Sequence, residues 1–310
     1  MAKINLSDED LKILSECINN QTEIPEDLLL KLSPGFFEKL RQAGKFDYRE
    51  LDKYKIPTIE YAGKRPESRI LAQAHITGGA APLQIVRSFA NGKNGDWKNL
   101  IVQGDNLQFL KTCYLNQDPL IKNKVKGKVN LIYIDPPFAT KSEFGSDEGE
   151  RSYSDRVENA EFLEALRERL LYARELIDPN GSIVVHFDQK MSHYVKVMMD
   201  EIFGKEKFRN EIIWGYGGGG APRDYYPQKH DNLFWYSIGS KWTFNKQYRP
   251  YSEKTLQRGL TAVKGPEYKL SEEGAGLDDW WVDDKVQKIL SPTAYENLKY
   301  PTQKPEGLLC

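Results

Sequence analysis

Short apolar runs alternate with longer amphipathic stretches through the middle of the chain. NLIV (99–102), NLIYI (130–134) and SIVVHF (182–187) have the composition of buried strands in a parallel sheet. Residues 159–177 and 193–203 instead carry apolar side chains three and four positions apart, which is typical of amphipathic helices. This alternation predicts an α/β fold with a doubly wound, mainly parallel sheet, in which ligands bind beyond the carboxyl ends of the strands.

The pattern changes on both sides of this alternation. Ser7 and Pro25 are helix-start residues, each followed by an apolar face, and they predict a helical N-terminal region. After Phe208 the chain is rich in glycine, proline and aromatic residues, and the four consecutive glycines of 217–220 predict an inserted region of loops and short strands. These changes divide the chain into residues 1–95, 96–207, 208–290 and 291–310.

Composition narrows the class of protein. The 310 residues are 39% hydrophobic and 29% charged, as in an ordinary folded soluble protein. No apolar run approaches the roughly 18 residues that a membrane helix needs, and the N-terminus MAKINLSDED lacks the apolar core of a signal peptide. Cys17, Cys113 and Cys310 form neither a metal pattern nor a disulfide framework, so we expect a cytoplasmic protein that does not contact a membrane.

The strand predicted at 130–134 ends in an unusual way. Asp135 places a charge at its carboxyl end, and Pro136 and Pro137 prevent both further strand pairing and an immediate helix. One interpretation is a simple strand stop. The other is a rigid turn that presents a carboxylate, a backbone carbonyl and the ring of Phe138 at the mouth of a cleft. Two acceptors suit the two N–H groups of an exocyclic amine, and the ring suits a planar base.

Two other uses of such a strand end are less compatible with the sequence. An acid at this position holds magnesium in P-loop ATPases, but the sequence contains no Gly-x-x-x-x-Gly-Lys-Ser/Thr loop. His186, Asp188 and His193 have no convincing metal-ligand spacing, and strand-end histidines and aspartates are more often hydrogen-bonded parts of the scaffold. We therefore expect no metal site.

Four segments together carry a resemblance to a known family. They are GDNLQFL (104–110), DPPF (135–138), GSIVVHFDQKMSHYVKVMMDEIFG (181–204) and YPTQKPEGLL (300–309). In this order, with a glycine-rich aromatic insertion before the last of them, they resemble β-class amino-methylating DNA methyltransferases, a group that includes the modification subunits of type III restriction systems. The resemblance implies a Rossmann-like methyltransferase fold with a catalytic core at 96–207, a target-recognition region at 208–290 and a cofactor segment at 291–310.

The resemblance also implies a reaction. A methyl group would pass from S-adenosylmethionine to the N6 amine of an adenine flipped out of double-stranded DNA, as part of a restriction–modification system. Asp135 and the carbonyl of Pro136 would accept hydrogen bonds from the amine. Pro137 would keep the turn rigid, and Phe138 would stack on the flipped base.

Cofactor contacts are implied in two segments. Asp105, with Asn106 beside it, matches the acid that helps to bind the adenosyl moiety, and an Asx turn that opens a helix is the alternative for Asp105. Thr302, Gln303 and Lys304 match the segment that lies against the amino-acid end of the cofactor, where Lys304 would meet a carboxylate.

DNA contacts are less clearly marked. The net charge is −1, yet between residues 201 and 270 there are 12 lysines and arginines against 7 aspartates and glutamates. This excess is compatible with a solvated surface or with DNA. The candidates for phosphate contacts are Arg223, Lys229, His230, Lys241 and Arg249. The resemblance implies double-stranded DNA as the partner and leaves open a restriction subunit and a homodimer.

Two alternatives to adenine methylation stay open. N4-cytosine methylation uses a similar amine, although family members with that specificity often have serine at the position of Asp135. The other is a non-catalytic DNA-binding remnant, because the chain stops at Cys310 without the Asp-Pro-Phe-x-Gly-x-Gly cofactor loop that follows in the family. We therefore expect a sheet that is incomplete at the C-terminus and a 310-residue chain that is inactive by itself.

Overall fold

A computed structural model gives the structure of the protein over most of the chain. It describes residues 6–20, 22, 24–32, 57–76, 78–88, 99–136, 143–145, 151–154, 159–217, 220, 222–258, 270–282, 286, 295–300 and 302–309. The helices in these ranges are α1 (Asp8–Asn19), α2 (Glu26–Leu32), α3 (Glu67–Ala72), α4 (Asn106–Leu115), α5 (Asn159–Leu176), α6 (Ser192–Phe203), α7 (Glu253–Arg258) and α8 (Glu306–Leu309). None of them is long and apolar enough to cross a membrane.

The strands include both long and very short elements. They are β1 (Val129–Ile134), β2 (Glu143–Gly145), β3 (Arg151–Ser154), β4 (Ile177–Asp188), β5 (Phe208–Gly215), β6 (His230–Ser237), β7 (Tyr248–Arg249), β8 (Ala275–Gly276) and β9 (Trp280–Trp281). β2 pairs with β3, and β7 pairs with β8, in two small antiparallel sheets.

The other five strands form the central sheet, in the order β1–β4–β6–β5–β9. β1 pairs parallel with β4, and β5 pairs parallel with β9, while β6 is antiparallel to both of its neighbours. Four of these five strands therefore run in the same direction, and β6 is reversed. This mainly parallel sheet with its packed helices confirms the predicted α/β, Rossmann-like fold.

The two faces of the sheet contribute to separate cores. Alternate residues of β4, from Ile183 to Phe187, pack with helices α4, α5 and α6. Val184, between them, belongs to a second cluster that is built around Trp214 and includes Leu308 of α8. The C-terminal segment (residues 295–300 and 302–309), which includes α8, therefore lies on the face of the sheet opposite the large helices.

Buried charges join the N-terminal helices to the core. The side chain of Asp10 in α1 is 1% exposed, and it accepts hydrogen bonds from Lys31 at 2.7 Å and from Arg69 of α3 at 2.9 Å. Helix α3 in turn contacts α5, where the hydroxyl of Tyr172 donates to a backbone carbonyl of α3. The N-terminal region, for which the sequence indicates no chemistry, is thus packed onto the helix that leads into β4.

One sequence-based assignment differs from the structure, and the bounds of the predicted insertion stay a prediction. The apolar run 99–102, predicted as a strand, lies outside the sheet, and its Ile101 is 95% exposed. Apolar composition favours a strand only where a neighbour is available for pairing, and none of the described strands pairs with this run. The composition also places an insertion from residue 208 onward, yet β5 and β6 belong to the central sheet. The described residues between these two strands, and those between Ser237 and β9, lie outside the sheet.

Candidate active site

Polar residues from neighbouring strands meet at one edge of the sheet. Asp135 directly follows β1 and Asp188 ends β4, so both lie at the carboxyl ends of parallel strands. β6 runs the other way, and its register places Asp231 beside Asp188 and His230 beside Gly215 at the end of β5. The reversed strand thus brings its first residues to the edge where ligands bind in sheets of this kind.

The turn DPPF lies only partly within the described residues. Asp135 and Pro136 belong to them, and Pro136 is partly buried. Pro137 and Phe138 lie outside the described residues, so their roles stay predictions. The candidate site is therefore built from the carboxylate of Asp135 and the groups around it.

The carboxylate of Asp135 lies between a lysine and a histidine. Its Oδ2 accepts a hydrogen bond from Nζ of Lys304 at 2.6 Å, and its Oδ1 lies 3.9 Å from Nδ1 of His186. The Asp135 side chain is 25% exposed, whereas Lys304 is 12% exposed and His186 is fully buried. The charged hydrogen bond from Lys304 fixes the carboxylate from one side. The exposed part of the group is accessible to a donor that approaches from outside.

Behind this carboxylate, buried hydrogen bonds connect several strands. Nδ1 of His186 is 2.7 Å from the hydroxyl of Tyr133, and Nε2 is 3.2 Å from Oδ2 of Asp231. The hydroxyl of Tyr216 donates to the other oxygen of Asp231 at 3.0 Å, and the ring of Trp214 meets the imidazole edge-on at 5.4 Å. Burial raises the pKa of both tyrosines, and neighbouring carboxylates raise it further, so both hydroxyls stay protonated at neutral pH.

Sequence reasoning does not find this network. Tyr133 and Asp231 are not singled out as site residues, and His186 and Asp188 are weighed as metal ligands or as hydrogen-bonded parts of the scaffold without their partners being identified. Burial raises the pKa of Asp188, whose Oδ1 accepts hydrogen bonds from two backbone N–H groups that follow it. Polar residues at buried positions within apolar stretches of a strand are the sequence feature that could have indicated this network.

The C-terminal segment is held by its own hydrogen bonds. The side chain of Gln303 is used at both ends, because Oε1 accepts from the N–H of Leu298 at 2.7 Å and Nε2 donates to the carbonyl of Glu296. Gln303 thus stabilises the loop through hydrogen bonds to other residues of the same loop. Lys304, predicted to meet a cofactor carboxylate, points from this loop to the carboxylate of Asp135.

Asp105 and Asn106 stand at the start of α4. Oδ1 of Asp105 accepts a hydrogen bond from the backbone N–H of Gln108 at 2.9 Å, so Asp105 is the N-cap of α4. This agrees with the alternative interpretation of Asp105 as the start of a helix. Oδ1 of Asn106 accepts from Nε of Arg169 in α5 at 2.7 Å. Both side chains are exposed, and Thr302 is partly buried. The cap uses one of the two oxygens of Asp105, so the carboxylate is still able to accept from a ligand.

The candidate DNA contacts lie in three places. Arg223, Lys229 and His230 belong to the β5–β6 loop or its end, at the edge of the sheet that carries the site. Lys241 follows the far end of β6 and lies at the opposite edge, more than about 20 Å away along the strand. Arg249 lies in the β7–β8 pair, where its guanidinium forms a 2.7 Å ion pair with an aspartate. The structure therefore brings three of the five candidates to the edge that carries the site.

Similarity to known proteins agrees with this arrangement. A family model for DNA methylases of the N6 and N4 type matches residues 129–310, which include the whole central sheet and Lys304. The chain belongs to this DNA methylase family. Within the match, β1, which Asp135 directly follows, is the first element, and the segment that carries Lys304 is the last.

Individual relatives of this DNA methylase are similar over shorter stretches. The chain is 32% identical over 190 residues to the type II methyltransferase M.EcaI of Enterobacter cloacae, with 61% of the chain and 39% of that protein covered. It is 35% identical over 115 residues to a probable type III restriction-modification enzyme HindVI Mod subunit of Haemophilus influenzae, with 37% of the chain and 14% of that protein covered. The chain thus spans less than half the length of either relative. A crystal structure of an M1.HpyAVI–SAM complex aligns with 48% of the chain and 59% of its own, at 19% identity and a TM-score of 0.32.

Proposed function

We propose that this chain forms part of a site-specific DNA methyltransferase that transfers a methyl group from S-adenosylmethionine to the N6 amine of adenine in a restriction–modification system. The observation that carries the proposal is the carboxylate of Asp135, which stands at the carboxyl end of β1 with one oxygen held by Lys304 and with a solvent-exposed side. Membership of the DNA methylase family supports methyl transfer to an amine of a DNA base.

The turn after β1 suits an exocyclic amine. Asp135 and the backbone carbonyl of Pro136 offer two acceptors on adjacent residues, and proline restricts the backbone between them. If both N–H groups of the amine are held, its lone pair points in a fixed direction. The lone pair of an adenine amine is conjugated with the ring and is weakly nucleophilic, so this positioning is the main contribution that the turn makes. When bound, S-adenosylmethionine supplies an electrophilic methyl group on its sulfonium sulfur.

The target base has to leave the duplex to reach this turn. Its amine is engaged in base pairing inside DNA, so an enzyme that acts on the amine has to take the base out of the stack. Phe138, the next aromatic residue after the prolines, is the predicted stacking surface for the flipped base.

The residues predicted to bind the cofactor fit it in part. Asp105 and Thr302 present polar groups that suit a ligand with hydroxyl and amine donors. Gln303 is occupied within its own loop, and Asn106 is occupied by an arginine of α5. We assign Asp105 and Thr302 as candidate contacts, with Gln303 shaping the loop between them and Lys304.

The β5–β6 loop is the candidate DNA-facing surface. It carries Arg223 and Lys229 together with two exposed tyrosines, Tyr225 at 66% and Tyr226 at 94% exposure. Exposed rings beside positive charges suit nucleic acid, because bases stack on the rings and phosphates pair with the cations. DNA bound to this loop would lie beside Asp135, since both are at the same edge of the sheet.

Adenine is proposed over cytosine because aspartate occupies position 135, whereas N4-cytosine enzymes of the resembled class often have serine there. Cytosine is the second candidate because the matched family includes both N6 and N4 enzymes. The ion pair of Asp135 with Lys304 favours a working site over a non-catalytic remnant. We further propose a cytoplasmic location, with double-stranded DNA as substrate and a restriction subunit or a second copy of the chain as protein partner.

The proposal is tested with the protein expressed from the complete reading frame that carries this sequence. After incubation with DNA and labelled S-adenosylmethionine, mass spectrometry of the digested DNA should detect N6-methyladenine. Asp135→Ala should abolish transfer with an unchanged circular dichroism spectrum, while Asp8→Ala, at an exposed position on α1, should not affect it. N4-methylcytosine would establish the second candidate, and retained activity in Asp135→Ala would contradict the role of this carboxylate. The same assay on the 310-residue chain tests whether it is inactive by itself.

A further inference from the structure

A buried histidine next to the proposed site has no role in the transfer described above. His186 is fully buried, although it is an ionisable group that directly follows the apolar residues 183–185 of β4. It lies within 4 Å of the carboxylate that would hold the target amine. A histidine in such a place is either a hydrogen-bonded part of the scaffold or a group that acts on Asp135.

The described neighbours of His186 favour a proton on Nε2 of the ring. An ionised carboxylate only accepts, so Nε2 donates to Oδ2 of Asp231 at 3.2 Å. Nδ1 then has a lone pair, and it accepts from the hydroxyl of Tyr133 at 2.7 Å. The neutral ring thus turns its lone pair toward Tyr133 and toward Oδ1 of Asp135, which is 3.9 Å away.

Charged and titratable groups of the described residues lie around the imidazole. They are Tyr133 of β1 and Asp135 after it, Asp188 of β4, Tyr216 after β5, Asp231 of β6, and Lys304 of the C-terminal segment. The imidazole therefore connects the buried carboxylate of Asp231 with Tyr133 and with the carboxylate of Asp135.

We propose that His186, supported by Asp231, is a positioning residue for Asp135, an inference that rests on the proposed methyl transfer. The neutral ring anchors Tyr133 and leaves Oδ1 of Asp135 to the target amine. The protonated ring carries a hydrogen on Nδ1 and attracts Oδ1, so that Asp135 is held between two cations and is withdrawn from the amine. Methyl transfer should then decline as the pH falls.

The test compares the pH dependence of kcat/KM in the complete protein and in variants of the network. The wild type should lose about tenfold in rate per pH unit on the acid side, as expected for one protonation. His186→Asn presents an acceptor near the position of Nδ1 but cannot ionise, so it should be roughly three- to thirtyfold slower at pH 8 and should lack this acid decline. His193→Asn, at an exposed histidine on α6, is the matched control and should keep the wild-type profile.

Two further variants should shift the acid decline in opposite directions. Asp231→Asn removes the charge that stabilises the protonated ring and should move the decline to lower pH by about one unit. Tyr133→Phe removes the donor that stabilises the neutral ring and should move it to higher pH. These variants also test the inference if His186→Asn fails to fold.

Each result bears on either the inference or the proposed function. The inference is overturned if His186→Asn retains the acid decline, or if neither of the other two variants moves it. Nitrogen NMR of the wild-type imidazole at pH 8 gives a readout that does not need activity: a proton on Nε2 supports the inference, and a proton on Nδ1 overturns it. Absence of methyl transfer in the wild type would instead contradict the proposed function.

Discussion

Replacing Lys304 with methionine removes a charge from the candidate site while keeping most of the side-chain length. The ammonium group of Lys304 is 2.6 Å from Oδ2 of Asp135, and its side chain is 12% exposed, so little water screens the pair. A hydrogen bond to a charged group contributes about 1.5–3 kcal/mol net. Since 1.4 kcal/mol corresponds to a factor of ten in rate, we expect Lys304→Met to lower kcat by roughly ten- to hundredfold.

The assay has to separate an effect on Asp135 from an effect on the cofactor. Initial rates of methyl transfer at saturating S-adenosylmethionine give kcat, and isothermal titration calorimetry gives the Kd of the cofactor. If Lys304 positions Asp135, kcat falls while the Kd stays within a small factor of the wild-type value. Lys304→Arg should recover part of the loss because a guanidinium group still donates to the carboxylate. Lys190→Met, at an exposed lysine just after β4, is the control.

The opposite pattern would refute this assignment. A cofactor Kd weakened tenfold or more, together with an unchanged kcat, would mean that Lys304 acts on the carboxylate of S-adenosylmethionine. Its contact with Asp135 would then have no part in the reaction.

Three further changes test the packing that supports the site and the N-terminal helices. Trp214→Phe removes a fully buried indole whose N–H donates to the backbone carbonyl of Val286, and urea unfolding should show a loss of about 2–4 kcal/mol. Trp242→Phe, where the ring is 38% exposed and stacks on an arginine, should cost less than about 1 kcal/mol, and equal losses would contradict the difference in burial. Gly181→Ala would bring a Cβ to 2.7 Å from a backbone oxygen of β1 and should lower the melting temperature, unlike Gly220→Ala, which has open space around it. Hydrogen bonds from lysine and from a backbone N–H hold the pKa of Asp10 well below its ordinary value, so its contribution is complete above about pH 4 and is lost as the pH falls through the lowered pKa. The stability deficit of Asp10→Asn should therefore be largest at neutral pH and shrink in acid, and a deficit independent of pH would count against this ionic origin.

Local patterns were sufficient to predict the elements that carry the site. The apolar runs that became β1 and β4, the acids at their ends and the amphipathic helix between them are properties of neighbouring residues. The same kind of pattern failed for residues 99–102, because an apolar run becomes a strand only beside a partner. For Asp105, the resemblance implied a contact with the cofactor, and local chemistry suggested a turn that opens a helix. The structure shows that Asp105 caps α4.

The contacts within the site could not be predicted in this way, because they join distant parts of the chain. Lys304 and Asp135 are 169 residues apart, and His186 and Asp231 are 45 residues apart. The second contact depends on the reversed direction of β6, and no local pattern encodes the direction or the neighbours of a strand. The resemblance predicted a cofactor contact for Lys304, whereas in the structure this side chain contacts Asp135.

The sheet itself fixes both ends of the β5–β6 loop. Gly215 is paired with His230, and the N–H of Tyr216 donates to the carbonyl of Lys229 at 2.9 Å, so the chain leaves and returns at adjacent positions. Doubling the length of a flexible loop with fixed ends costs only about 0.6 kcal/mol. Loops of other lengths and sequences could thus be exchanged at this position during evolution or by design while Asp135 and its neighbours stay unchanged.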